Sequence, residues 1–351
     1  LANPGRAGHK MALAAERALD DARHLLNQFF HGEAPERFVF TLNCTDALNM
    51  AFKGVLQAGD QVITTDLEHN SVSRPLRAME LAGHITLVRV RADSGGTVNP
   101  DDIRAAITPK TRMIAVTHAS NVVGTIQPIA EIGRIARERE VLFLIDAAQT
   151  AGVVPIDIQE MHIDLLAFPG HKGLMGPTGT GALYVSPRTK VNVWREGGTG
   201  GDSSSETQPK EYPYFLEGGT PNVLGVAGLS VGIQWVESEG LSKIHAHEVA
   251  LTERLWRQLN EIGGIDVFGH RDMSRRVGTI SFRSESLPAM ELGGILDQAF
   301  DIAIRPGLHC APYIHRSLRT FPDGTVRVSP GPFNTDADID RLAGALREIL
   351  T

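Results

Sequence analysis

At 351 residues, with 42% hydrophobic and 21% charged side chains, the chain is long enough for a large core and about two domains of roughly 100 to 200 residues each. A net charge of -7 argues against a nucleic-acid backbone as partner. No apolar run approaches the ~20 residues that span a bilayer, and the opening LANPGRAGHK lacks the apolar stretch of a signal peptide, so no membrane partner is expected and the compartment expected is the cytoplasm.

In chain order, FVFTL (38–42), QVITT (61–65), ITLVRV (85–90), MIAVTH (113–118), VLFLID (141–146) and IDLLAF (163–168) read as strands buried on both faces. Segments of helical length, such as PIAEIGRIARERE (128–140), separate several of them, which predicts an α/β fold with a mostly parallel sheet and crossover helices. REGGTGGDSSSETQPKEYPYFLEGGTPN, from about residue 195, reads as a long loop. VLGVAGLSVGIQWVESEG then resumes a helical pattern, and VGTISF (277–282) reads as a strand. Asp336 is expected to cap a last helix whose Ile339, Leu342, Leu346 and Ile349 share one face. The simplest division is a large α/β domain over 1–235 and a smaller α+β domain over 236–351.

Ligands of such sheets gather outside the carboxyl ends of the strands. Asp146 ends one predicted strand, and desolvation there would raise its pKa unless a cation or a donor meets it. Lys172 follows the next strand on a Gly-flanked turn. Each has an ordinary explanation alone, a capped turn for the aspartate and a solvated charge for the lysine. Together they point to pyridoxal phosphate (PLP), whose aldehyde takes a lysine amine and whose ring nitrogen takes an acid partner. The stretch Asn43-Cys44-Thr45-Asp46 opens a helical pattern and offers amides and the Thr45 hydroxyl to a phosphate, although for that segment alone an N-cap without a ligand is the favoured reading.

The motifs CTDALN, LEHNS, THASNVVGT, IDAAQT, GHKG, GGTPN and RPGLHCAPYIH occur in one order across nearly the whole chain. With them the sequence resembles the class V, fold-type I PLP enzymes, and among these the group II cysteine desulfurases and selenocysteine lyases. The resemblance implies that Lys172 forms the Schiff base, Asp146 meets the pyridine nitrogen, Gln149 contacts the ring oxygen and His69 stacks on the ring. It further implies that Cys44 (through its amide), Thr45 and His171 hold the phosphate, joined by Thr220 from the second subunit of a homodimer. Asn121 and Arg327 would grip the substrate carboxylate, with Arg305 as a further substrate contact. Arg327 also suits that task by its guanidinium fork.

Cys310 occupies the position of the thiolate that attacks the substrate sulfur, leaving alanine and a protein persulfide for a sulfur-accepting partner protein. Arg305 and His309 beside it would favour the thiolate. A zinc site on His309, Cys310 and His315 is disfavoured because no fourth ligand is apparent, and no metal is expected. Cys44 is read as a small buried apolar residue. Three features stand out: Pro169 replaces a hydroxyl residue of the family, removing one phosphate hydrogen bond; the start of the chain lacks the family's opening strand, as in a fragment or a numbering that omits the true N-terminus; and the loop around Cys310 is compact, as in the group II desulfurases that rely on a sulfur-accepting partner. Another class V activity (aminotransferase, epimerase or C–S lyase) and a non-catalytic binding protein of the same fold remain as alternatives.

Overall fold

The computed structural model describes residues 3–4, 8–199 and 204–350. Residues 1–2 and 5–7, within the segment expected to lack an opening strand, and 200–203, within the expected Gly- and Ser-rich loop, lie outside the described residues. A seven-stranded sheet contains β1 (Phe38–Thr41), β2 (Asp60–Thr65), β3 (Ile85–Val90), β4 (Thr111–Thr117), β5 (Leu142–Asp146), β6 (Leu165–Pro169) and β7 (Gly181–Val185), in the spatial order β1-β7-β6-β5-β4-β2-β3. All six strands predicted for this sheet are present, and the predicted strand at 277–282 appears in a second sheet as the strand Ile280–Ser284. β7 is an addition, too short and too closely preceded by Gly and Pro to stand out from its sequence.

The pairs among β2 to β6 are parallel, whereas β7 is antiparallel to both β6 and β1 and so runs against the rest of the sheet. β5, β6 and β7 are buried throughout, as strands covered on both faces must be. β3 corrects the expectation of two-sided burial: at the sheet edge, only its terminal residues Ile85 and Val90 are buried.

The helices are α1 (Lys10–Phe29), α2 (Cys44–Val55), α3 (Asn70–Leu81), α4 (Pro100–Ala106), α5 (Ile129–Glu138), α6 (Val223–Glu239), α7 (Leu241–Asn260), α8 (Ala289–Phe300), α9 (Pro312–Ser317) and α10 (Asp336–Leu350). No helix among the described residues is long and apolar enough to cross a membrane. Alternating side chains of the large sheet feed two apolar clusters, one around Phe30, Phe143 and Phe168 and the other around Leu48, Phe52 and Leu144. α10 presents Ile339, Leu342 and Leu346 to a third cluster, as its period predicts, but Asp336 is its first residue and not its cap. The preceding Thr335 instead donates its amide to Asp338 Oδ2 at 2.8 Å.

A second sheet, antiparallel throughout, orders β8 (Ile265–Phe268), β9 (Ile280–Ser284), β10 (Arg305–Gly307) and β11 (Thr325–Val328) as β10-β11-β9-β8. In the large sheet, register aligns Thr117 at the end of β4 with Asp146 at the end of β5, and Asp146 with Ala167 of β6. This level edge, together with the starts of α2 and α3, forms the floor of a cavity.

Candidate active site

The cavity holds about 190 Å³ and is lined by Asn43, Cys44 and Thr45 at the start of α2, His69 and Ser71 at the start of α3, and the strand-end residues Thr117, Asp146 and Pro169. Asn121, Ala148, Gln149, His171 and Lys172 complete the wall. Of the residues singled out in the sequence, it therefore gathers Cys44, Thr45, His69, Asn121, Asp146, Gln149, His171 and Lys172. Thr220 is exposed and lines a separate hollow with Leu42, Gly179 and Asn222. His171 is also exposed, and partial desolvation followed by the charge of Lys172 lowers its pKa.

Asp146 is met by donors. Its Oδ1 accepts from the Ala148 amide at 2.9 Å and from the Cys44 thiol at 3.3 Å. Among the described residues, no protein donor reaches Oδ2. Burial, reinforced by Asp146 itself, pushes the Cys44 thiol well above its ordinary pKa, so it stays protonated and can donate. Cys44 is thus buried as expected but is not merely apolar filling.

His69 caps α3: the Ser71 amide donates to its Nδ1 at 3.1 Å, and Ser71 Oγ lies 2.9 Å from the same nitrogen. An Nδ1 that accepts carries no proton, so the neutral ring carries its proton on Nε2. Desolvation is the main cause holding the ring's pKa below its ordinary value, which favours that neutral form. Behind it, Glu68 is fully buried and accepts through Oε1 from Thr65 Oγ1 at 2.7 Å and the Thr117 amide at 3.0 Å. Ser71 and Glu68 were not singled out from the sequence; both flank His69 in LEHNS, the one signal that could have found them.

The turn after β10 carries Cys310, which with Arg305 and Arg327 is not among the residues lining the cavity. Both His309 and Cys310 adopt left-handed backbone, with φ of 50° and 61°, a strained arrangement that packing must hold. Asn121 Nδ2 donates to the His309 carbonyl at 2.7 Å, and the Asn70 amide donates to the Cys310 carbonyl at 2.7 Å. Arg305 Nη2 donates to Cys310 Sγ at 3.1 Å. The expectation that His309 also favours the thiolate is corrected: burial pushes its ring down to about 3, so at neutral pH it carries no charge. Its Nε2 instead lies 3.0 Å from Thr325 Oγ1, pinning the loop to β11.

Arg327 Nη1 donates to the Asn121 carbonyl at 2.9 Å, while its buried Nε has no protein partner among the described residues. Burial, followed by the charge of Arg305, lowers its pKa to about 10, which leaves it cationic at neutral pH. The arrangement thus sets an amine, a half-saturated carboxylate and hydroxyls around one cavity, linked through Asn70 and Asn121 to a thiol held by a guanidinium.

The sheet order and a strand-end lysine and aspartate on one cavity define an α/β enzyme of the aminotransferase type. The chain belongs to the Aminotransferase class-V family, whose model matches residues 1–342. It is 36% identical to a probable cysteine desulfurase of Methanothermobacter thermautotrophicus, over 99% of this chain and 88% of the relative. It is 32% identical to a cysteine desulfurase of Yersinia pseudotuberculosis, over 97% and 84% of the two chains. Among solved structures, the apo cysteine desulfurase of Thermococcus onnurineus superposes with a TM-score of 0.94 at 31% identity, over 99% of this chain and 88% of that one. An Escherichia coli cysteine desulfurase, CsdA in an S-sulfonic acid form, gives 0.89 at 27% identity, over 99% and 88%.

Proposed function

We propose that this protein is a PLP-dependent cysteine desulfurase, converting L-cysteine to L-alanine with the sulfur left as a persulfide on Cys310. The observation that carries the reading is the seating of Cys310, tied through its carbonyl to Asn70 beside His69 and through its sulfur to Arg305. A thiol so held, one backbone hydrogen bond from the turn that carries the cavity-lining His69, is placed to serve as a nucleophile. Relatives named cysteine desulfurase at 32–36% identity support the same chemistry.

The cavity residues suit the cofactor. Asp146 Oδ2 is open to a protonated ring nitrogen, the exposed Lys172 amine can bond an aldehyde, and the amides of Cys44 and Thr45 donate to no protein acceptor among the described residues. His69 would cover the ring face, Gln149 would meet the ring oxygen, and Thr45 and His171 would join the phosphate grip. Bound PLP supplies an electron sink that weakens bonds at the substrate's alpha carbon.

The chain's own residues do the rest. Arg327, with an unmatched buried Nε–H, and Asn121 bind the substrate carboxylate. Arg305 stabilises the Cys310 thiolate. The thiolate attacks the substrate sulfur; an S–S bond forms, the C–S bond breaks, and its electron pair stays on the substrate carbon, which takes a proton to become the methyl group of alanine.

The same proposal includes selenocysteine as a second substrate, a cytoplasmic location, a sulfur-accepting partner protein and a homodimer in which Thr220 serves the other subunit's phosphate. Thr220's exposed position outside its own cavity supports the last of these. It also includes the division into units over 1–235 and 236–351, supported by the two sheets falling on either side. The test is to incubate PLP-loaded protein with L-cysteine and measure alanine and the mass of the Cys310 peptide. Alanine with a persulfide is expected. Pyruvate, ammonia or a keto acid would make it another class V enzyme, and no turnover of amino acids would leave a binding protein.

A further inference from the structure

We propose that Ser71 is a ligand of the cofactor's phosphate, donating its hydroxyl beside that of Thr45. The inference rests on the PLP reading above and adds a residue to it.

Ser71 Oγ lies 2.6 Å from Thr45 Oγ1, and both residues line the cavity. They belong to the first turns of different helices, α3 and α2, so the positive ends of two helices lie near one spot. The two hydroxyls, with the free amides of Cys44 and Thr45 at the start of α2, match the several acceptor oxygens of a phosphate; the first-turn amides of α3 are already committed to Cys310 and His69. Two other lining residues offer no further donor: the Thr117 hydroxyl is committed to the Ala119 carbonyl at 2.9 Å, and Pro169 has neither a hydroxyl nor an amide hydrogen.

Ser71 is also able to turn toward an anion without disturbing its neighbour. Its backbone amide already donates to His69 Nδ1 at 3.1 Å, so the ring keeps that anchor when the hydroxyl, 2.9 Å from the same nitrogen, swings away. The amide does the positioning of His69 and leaves the hydroxyl available.

The hydroxyl's role can be separated from the rest of the cofactor site by titrating apo protein with PLP and with pyridoxal, which has the ring and aldehyde but no phosphate. Ser71→Ala is expected to weaken PLP binding about tenfold, the loss of one hydrogen bond to a charged group, and to leave pyridoxal affinity unchanged. Ser71→Thr, which keeps the hydroxyl, should stay near the native PLP affinity, and thermal melts of the apo proteins check that each variant folds. If Ser71→Ala does not fold, Ser71→Cys, with a weaker donor of similar size, should show the same selective loss. Unchanged PLP affinity, or equal loss for PLP and pyridoxal, would overturn the proposal. A native protein that takes up PLP on no lysine would overturn the cofactor reading itself, a different result from a variant that binds PLP and pyridoxal as the native protein does.

Discussion

The amide of Asn70 donates to the carbonyl of Cys310 across 2.7 Å, so the turn that presents His69 and the loop that presents the thiol are joined by one backbone hydrogen bond. The bond reaches between residues far apart in sequence and holds a left-handed Cys310 in place.

From that link follows the behaviour of Cys310→Ala. The backbone bond survives the substitution, so the variant should take up PLP normally. Alanine formation from cysteine should fall by about a thousandfold or more, the usual consequence of deleting a nucleophile. Selenocysteine cleavage should persist in part, because selenolate is a better leaving group than thiolate. Alanine assays with both substrates measure the difference; a native rate on cysteine would make Cys310 structural.

Lys172→Ala should abolish the yellow colour of the PLP-loaded protein. Borohydride reduction followed by peptide mass mapping should fix the cofactor on Lys172 in the native chain and on no residue of the variant. A reduced adduct on another lysine would reassign the amine.

Asp146→Ala should leave the fold intact and slow turnover by at least about a hundredfold, since the acid partner of the ring nitrogen is lost. Cys44→Ala removes only a weak thiol donor to Oδ1, with the Ala148 amide still in place, and should slow turnover by no more than about tenfold. Steady-state kinetics rank the two, and a Cys44→Ala enzyme as impaired as Asp146→Ala would show that the thiol, not the amide, orients the carboxylate.

Glu68 gives the apo protein a pH signature. Burial raises its carboxyl from 4.5 to about 8 against the hydrogen bonds from Thr65 and Thr117. Folded protein then keeps a proton that the unfolded chain releases, so this group's contribution to stability falls as pH rises from about 4.5 to about 8 and levels off above. Glu68→Gln, neutral at every pH, should lose that part of the slope. Urea unfolding of both proteins from about pH 5 to about pH 9 checks it; parallel profiles would mean that Glu68 ionises normally.

Much of this was legible in the amino-acid order because it rests on local patterns. Unbroken apolar runs mark strands covered on both faces, and a charged residue at the end of such a run has few places to go, which is why Asp146 and Lys172 stood out together and fell on one cavity. Cys310 on its Gly-containing loop was visible for a similar reason.

What the tertiary structure alone decided depends on burial and on partners distant in sequence. The reversed strand β7 was hidden in a short run. The neutrality of His309 comes from a surrounding packed only after folding, so a histidine next to a cysteine did not reveal that it carries no charge. Cys44 reads as apolar until β5 brings Asp146 to 3.3 Å from its sulfur, and Ser71 is an ordinary helix-start serine until α2 sets Thr45 beside it. Sequence periodicity encodes which face of an element is buried; which polar atom meets which across elements is set by register and packing, and those exist only once the sheet has closed.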